Sequence, residues 1–126
     1  MDESFYDEEK LFRAVYPPSY RAMFWKRDGS VSSAAFADPN GLSVNRAGDR
    51  NDADAITDMR KAFHGNIVSV LVRNCKETNA VVKYLPSKNN VYHSEIHRND
   101  QTALLSKSQR YYLATHAVIE YISPDA

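Results

Sequence analysis

The run Ile67-Val-Ser-Val-Leu-Val72 constrains this chain more than any other segment. It is nearly continuous in apolar and branched side chains, too short for a helix of ordinary length, and without the alternation of a strand that is wet on one side. Such a run reads as a central β-strand buried on both faces. The segment before it supports this. Asp52 to Phe63 places Ala55, Ile56, Met59, Ala62 and Phe63 in one apolar stripe at helical spacing. Asn51 or Asp52 can cap its free N–H groups, Asp52 and Asp54 suit its positive end, and Gly65 supplies a stop. A helix over about 52–63 is therefore expected. Its stripe of Ile56, Met59 and Phe63 should meet Val68, Val70 and Val82 in the core.

Further elements follow from local chemistry. Leu11 to Val15 reads as a short strand, ended by Pro17-Pro18, which lack an N–H for sheet pairing. Residues 19–27 suit either a short helix or an aromatic loop. Val31 to Phe36 and Leu42 to Val44 flank Asp38-Pro-Asn-Gly41, a strong turn signal, and are expected to form a hairpin. Ala80 to Leu85 reads as a strand ended by Pro86, and Tyr92 to His97 as a strand or ordered loop. Ser106 caps a second helix over about 106–116, Val118 to Ile122 forms a last strand, and residues 123–126 are a tail.

At 126 residues, with 43% hydrophobic and 25% charged residues, the chain has the length and composition of one globular domain. The fold expected is α+β: a single domain over 10–126, with a mixed sheet of about five or six strands and two main helices. Residues 1–9 hold five acids and no base, and read either as a mobile terminus or as an arm that covers a basic groove or docks on a partner.

Sixteen basic residues balance sixteen acids, so net charge is zero. This argues against a general nucleic-acid binder, which usually has a pI above about 9. No apolar run approaches the roughly 18 residues that span a bilayer, and the acidic start lacks the pattern of a signal peptide. The lone Cys75 cannot form an internal disulfide. A cytosolic location is the expectation, without a membrane role.

The segment Tyr92-His-Ser-Glu-Ile-His97 carries the strongest chemical signal. On a strand, His93, Glu95 and His97 project from one face, where they can exchange a proton or meet a ligand. No metal is assigned to them. Strand-borne ligands need supporting partners, and the P-C-x-x-C of zinc deaminases is absent. A purely structural hydrogen-bond network is the alternative. Arg13 lies mid-strand and, being always charged, needs an anion: Glu95, Glu120 or a ligand phosphate. Small hydroxyl residues Ser32 and Ser33 leave room for an approaching group. Arg46 and Arg50 beside Gly48, just before the first helix, suggest a second anion cradle. Basic neighbours Arg73 and Lys76 can lower the pKa of Cys75. There is no P-loop, G-x-S-x-G, G-x-G-x-x-G or H-E-x-x-H, so no particular cofactor is implied.

The stretches LFRAV, SSAAFADPNGLSVNR and YHSEIHR resemble landmarks of a family of small uncharacterised bacterial or phage proteins. More remotely, an Arg on the first strand, a Ser on a later one and a downstream Glu are similar to the layout of ADP-ribosyltransferase-like domains. That resemblance implies that Arg13 grips the phosphates of NAD, Ser33 positions the ligand and Glu95 stabilises charge developing on the ribose.

The residues thus point to a nucleotide or other phosphate-bearing ligand. Its pocket would comprise catalytic Glu95, His93 and His97 with ligand-binding Arg13, Ser33 and Arg46. The alternative is a non-catalytic protein-interaction module of the immunity, antitoxin-like or inhibitor kind, working through its acidic terminus and exposed aromatics.

Overall fold

A computed structural model describes residues 1–124. Six strands are present: β1 Lys10–Val15, β2 Leu42–Arg46, β3 Asn66–Leu71, β4 Val81–Tyr84, β5 His93–His97 and β6 Val118–Tyr121. Three α-helices accompany them, α1 Asp52–Ala62, α2 Val72–Glu77 and α3 Lys107–His116, with two 3-10 turns at Ala22–Phe24 and Ser33–Phe36. The strands form one sheet in the order β4-β5-β2-β1-β3-β6. The α+β class holds. Every pairing is antiparallel, so the sheet is not mixed. Helix α1 does link two strands of like direction, β2 and β3, but β1 lies between them and pairs with both.

Alternation along β3 divides the core. Ile67 faces the same side as Phe12, and α1 covers both with Ala55 and Met59. Val68 and Val70 face the opposite side with Leu11, Val15, Val44 and Ile96, under Phe36, Cys75 and Leu113. The expected contact of the α1 stripe with Val68, Val70 and Val82 is therefore not made, because adjacent residues of a strand point to opposite faces and α1 covers the face of Ile67. Covering both faces explains why β3 is buried although it is antiparallel. Helix α1 starts where expected, with the Asn51 side chain accepting from the Asp54 N–H at 2.8 Å. It stops one residue earlier than its stripe suggests. Phe63 has extended backbone angles and stands 46% exposed rather than in the core.

The segment 31–36 is not a strand. Val31 makes one isolated bridge to Trp25, and Ser33–Phe36 winds into a 3-10 turn that buries Ala35 and Phe36. Ser32 competes with extended structure: its hydroxyl donates to the Met23 carbonyl at 2.6 Å. The Asp38–Gly41 turn forms, with Gly41 at φ +103°, but it follows a 3-10 turn and closes no hairpin.

Residues 1–9 dock on their own chain. Glu9 is fully buried. Its two carboxylate oxygens accept from Arg46 Nε and Nη2 at 2.8 and 3.0 Å. The Asp2 and Ser4 carbonyls take further Arg46 donors at 2.8 Å, while Phe5 and Tyr84 flank the guanidinium. The Glu9 and Asp7 carbonyls accept the first N–H groups of α2. Asp7 and Glu8 pair with Lys76 and Arg73 on that helix. The domain therefore includes part of the acidic segment. Of the tail, positions 125–126 lie outside the described residues. Among the described residues no helix is long and apolar enough to cross a membrane.

The sheet is irregular between β1 and β2. Strand β1 continues to Val15 and β2 begins at Leu42, yet they pair only at Leu11↔Arg46 and Phe12↔Asn45. Beyond these pairs the strands separate. The β3–β1 ladder continues to Val15 on one side of this fork, and the β2–β5 ladder to Leu42 on the other.

Candidate functional site

Strand β5 alternates as expected. Ser94 and Ile96 are buried, while His93, Glu95 and His97 share the opposite face. Glu95 links the two imidazoles: its Oε1 lies 2.8 Å from His97 Nε2 and its Oε2 3.3 Å from His93 Nε2. The hydrogen bond from His97 holds the Glu95 carboxyl below the usual carboxylate range. Partial burial opposes this and the His93 contact adds to it. Neither Nδ1 atom has a hydrogen-bond partner among the described residues. The arrangement is an ionised carboxylate that fixes two imidazoles and leaves one nitrogen of each for other chemistry.

Neighbouring strands frame this row. Asn45 and Ser43 stand opposite His93 and Glu95 on β2. Lys83 stands opposite Glu95 and Val81 opposite His97 on β4. Lys83 makes no ion pair among the described residues. Gly41 lies directly beneath the row. A Cβ there would sit 2.5 Å from His97 Nε2 and 2.6 Å from Glu95 Oε1, so the glycine makes room for their contact. Asn40-Gly41 is legible in the sequence as a turn, whereas this second role appears only once β2 and β5 are paired.

Arg13 has neither of the carboxylate partners proposed for it. Glu95 is engaged with the histidines, and Glu120 accepts from Lys10 at 2.7 Å and from Ser69 at 2.8 Å. Instead Arg13 Nε donates to the Ala35 carbonyl and Nη1 to the Ser43 carbonyl, both at 2.8 Å. Burial lowers its pKa, opposed by the charge of Asp38. The Nη2 amino group meets no acceptor among the described residues. By strand alternation the Arg13 side chain belongs to the face of Leu11 and Val15, opposite that of Glu95. Its bond to Ser43 spans the fork.

A cavity of about 260 Å³ opens at the fork. Arg13, Ser43, Asn45, Asn90, His93 and Phe63 are among its lining residues. Two sequence-derived candidates, Arg13 and His93, therefore border one space. Glu95 and His97 stand behind His93 and are not in the lining. Ser33 begins the 3-10 turn rather than lying on a strand, and it also lies outside the lining. Arg46 is a correction: Glu9 and the Asp2 and Ser4 carbonyls hold its guanidinium in the interior, so it offers nothing to a ligand. The adjoining Arg50 is likewise engaged, with Asp58, the Arg46 carbonyl and the Tyr92 ring. The expected anion cradle before α1 is thus filled by protein groups.

Cys75 is buried, and burial pushes its thiol up to about 12. It remains a thiol at neutral pH despite the basic side chains next to it in sequence, which point to Glu8 and Asp7 instead. Among the described residues no three His, Cys, Asp or Glu side chains are arranged to hold a metal ion. Sequence reasoning missed Asn45 and Asn90, whose side chains are bonded across 45 positions, and it placed Phe63 in the core. The long-range pairing of β2 with β5 brings Asn45 to the lining beside Asn90, and the extended backbone at the end of α1 brings Phe63 there.

Comparison of the chain with family models, with curated proteins and with solved structures finds no match.

Proposed function

We propose that this protein binds a phosphate-bearing small molecule at the fork between β1 and β2, and that His93, steered by Glu95, exchanges a proton with it. The observation that carries this reading is that Arg13 and His93 border one cavity while the Arg13 Nη2 group has no acceptor among the described residues. A guanidinium stays charged and loses hydration at such a site. An anion accepting from Nη2 makes up that loss, and a phosphate oxygen offers a strong, charge-assisted acceptor. On the other side of the fork, at the same cavity, His93 is held through Nε2 by Glu95, so its Nδ1 serves as acid or base. His97 holds the other Glu95 oxygen and keeps the carboxylate ionised and oriented. A cytosolic setting accords with the single buried cysteine.

The narrower version, ADP-ribosyl or NAD chemistry with Arg13, Ser33 and Glu95 converging, gains no support from this arrangement. Ser33 and Glu95 stand apart from the cavity. A second reading, the protein-interaction module, is favoured by Tyr16 and Tyr20, which are 55% and 69% exposed beside one concavity. It does not use the acidic segment, which is spent on α2.

Calorimetric titration with inorganic phosphate and with ribose 5-phosphate tests the leading reading. The parent should bind, Arg13→Lys should bind at least tenfold more weakly because a point charge does not replace the planar fork, and His93→Ala should weaken binding less. Equal affinities for the parent and Arg13→Lys would reject the site.

A further inference from the structure

We infer that the phosphate-bearing ligand is a nucleoside monophosphate whose base lies against Phe63; this rests on the proposed phosphate site and names its ligand class. Phe63 closes α1, and its N–H bonds to the Met59 carbonyl at 2.8 Å. The extended backbone there carries the ring out of the helical stripe and leaves it 46% exposed. An exposed aromatic alone carries no meaning. What distinguishes this ring is its place: it walls the same cavity that Arg13 and His93 border. The cavity therefore joins an apolar π-surface to the fork, which Arg13 spans with an Nη2 group that meets no acceptor among the described residues. A nucleotide joins the complementary groups, a planar base and a phosphate, across one sugar.

Asn45 gives an independent sign of a polar ligand. It is only 8% exposed and lines the cavity. Its Oδ1 accepts from Asn90 Nδ2 at 2.8 Å, yet its own Nδ2 donates to nothing among the described residues. No side-chain nitrogen or oxygen of the described residues is both sealed from solvent and unpartnered, so this amide reaches solvent, and Asn45 lines this cavity together with the adjoining concavity bordered by Arg50, Asp58 and Lys88. It suits a base edge or a ribose hydroxyl. The volume, about 260 Å³, lies just under the roughly 300–1,000 Å³ of common ligand pockets. It suits one nucleoside phosphate rather than a dinucleotide.

The test compares AMP with ribose 5-phosphate by calorimetric titration on the parent, Phe63→Ala, Phe63→Leu and Phe63→Tyr. The parent should prefer AMP by about fivefold or more, the range of base–aromatic stacking. Phe63→Ala should bring AMP to the level of ribose 5-phosphate while leaving ribose 5-phosphate itself unchanged. Phe63→Tyr should restore the preference. Phe63→Leu, which keeps apolar bulk without a ring, should behave as Phe63→Ala and stands in for it if that variant fails to fold. Equal binding of AMP and ribose 5-phosphate by the parent, or a preference that survives loss of the ring, overturns the nucleotide inference and leaves the phosphate site standing. Binding of neither compound by the parent overturns both.

Discussion

At position 41 a hydrogen stands where any other residue would place a carbon, and two side chains from β5 occupy that space. Gly41→Ala meets two obstacles at once. Its φ of +103° is unfavourable for an L side chain, and its Cβ would collide with His97 and Glu95. The variant should lose at least about 1 kcal/mol by denaturant unfolding, and the imidazole resonances of both His97 and His93 should shift, since one carboxylate holds both. Unmoved His93 resonances would show that Glu95 does not couple them. Glu95 itself makes a pH prediction. Its folded value is below the ordinary 4.5, so the unfolded chain takes up the proton first as pH falls. Its contribution to stability is complete above 4.5 and declines as pH falls through its own lower value. Relative to Glu95→Gln, the parent's advantage should shrink as pH falls below about 5. An advantage that grew on acidification in that acid range would reverse the assignment. The alternation of His93, Glu95 and His97 was readable from a period of two. The role of Gly41 was not, because it depends on a partner strand more than fifty positions away.

Elements with a strong local signal were legible in the sequence, and those defined by distant partners were not. Asn51 and Ser106 cap α1 and α3 where capping chemistry places them. The short helix α2 has Leu71 at its N-cap, an apolar residue that caps nothing, although Asn74 Oδ1 reaches back to accept the Leu71 N–H at 2.9 Å. Its first N–H groups are taken by the Glu9 and Asp7 carbonyls, which sequence spacing does not bring near. The same contact changes what the acidic segment is expected to do. A terminus of five acids reads as solvated, and deleting residues 1–9 should then cost little. The buried Glu9–Arg46 pair reverses this expectation. Removing one partner of a buried pair strands the other, at about 3–5 kcal/mol. Glu9→Ala should lose that much, and deletion of 1–9 at least as much, whereas deletion of 1–3 leaves Glu9 in place and should lose far less. Unfolding curves of the three variants that coincide with the parent's would show that the arm is not part of the folded unit.

On the scale of the whole molecule, the sheet is two three-stranded halves, β6-β3-β1 and β2-β5-β4, joined by two residue pairs. Two arginines brace that narrow seam in opposite senses. Arg46 reaches from β2 to Glu9 beside β1, and Arg13 reaches from β1 to the Ser43 carbonyl on β2. The apolar cluster under α3 spans both halves, with Val15 and Val68 from one and Val44 and Ile96 from the other, so the domain still folds as a unit. The seam is its line of least backbone bonding. Arg13→Met keeps the side chain's apolar length but leaves the Ala35 and Ser43 carbonyls without these donors. Stability should fall by about 1–3 kcal/mol. The loss should not be shared evenly. Amide hydrogen exchange reports local opening segment by segment. It should speed up most in β2 around the fork and in its neighbour β5, and least in β3, which is paired on both sides and buried on both faces. Arg13→Lys keeps a charge with a single centre and should fall between parent and Arg13→Met in both measurements. A ligand held at the fork by Arg13 works in the same place. Adding inorganic phosphate to the parent should slow exchange in β2, and this slowing should be absent in Arg13→Met. Uniform acceleration across all six strands in Arg13→Met would mean that the seam is no weaker than the rest of the sheet and that Arg13 braces nothing in particular.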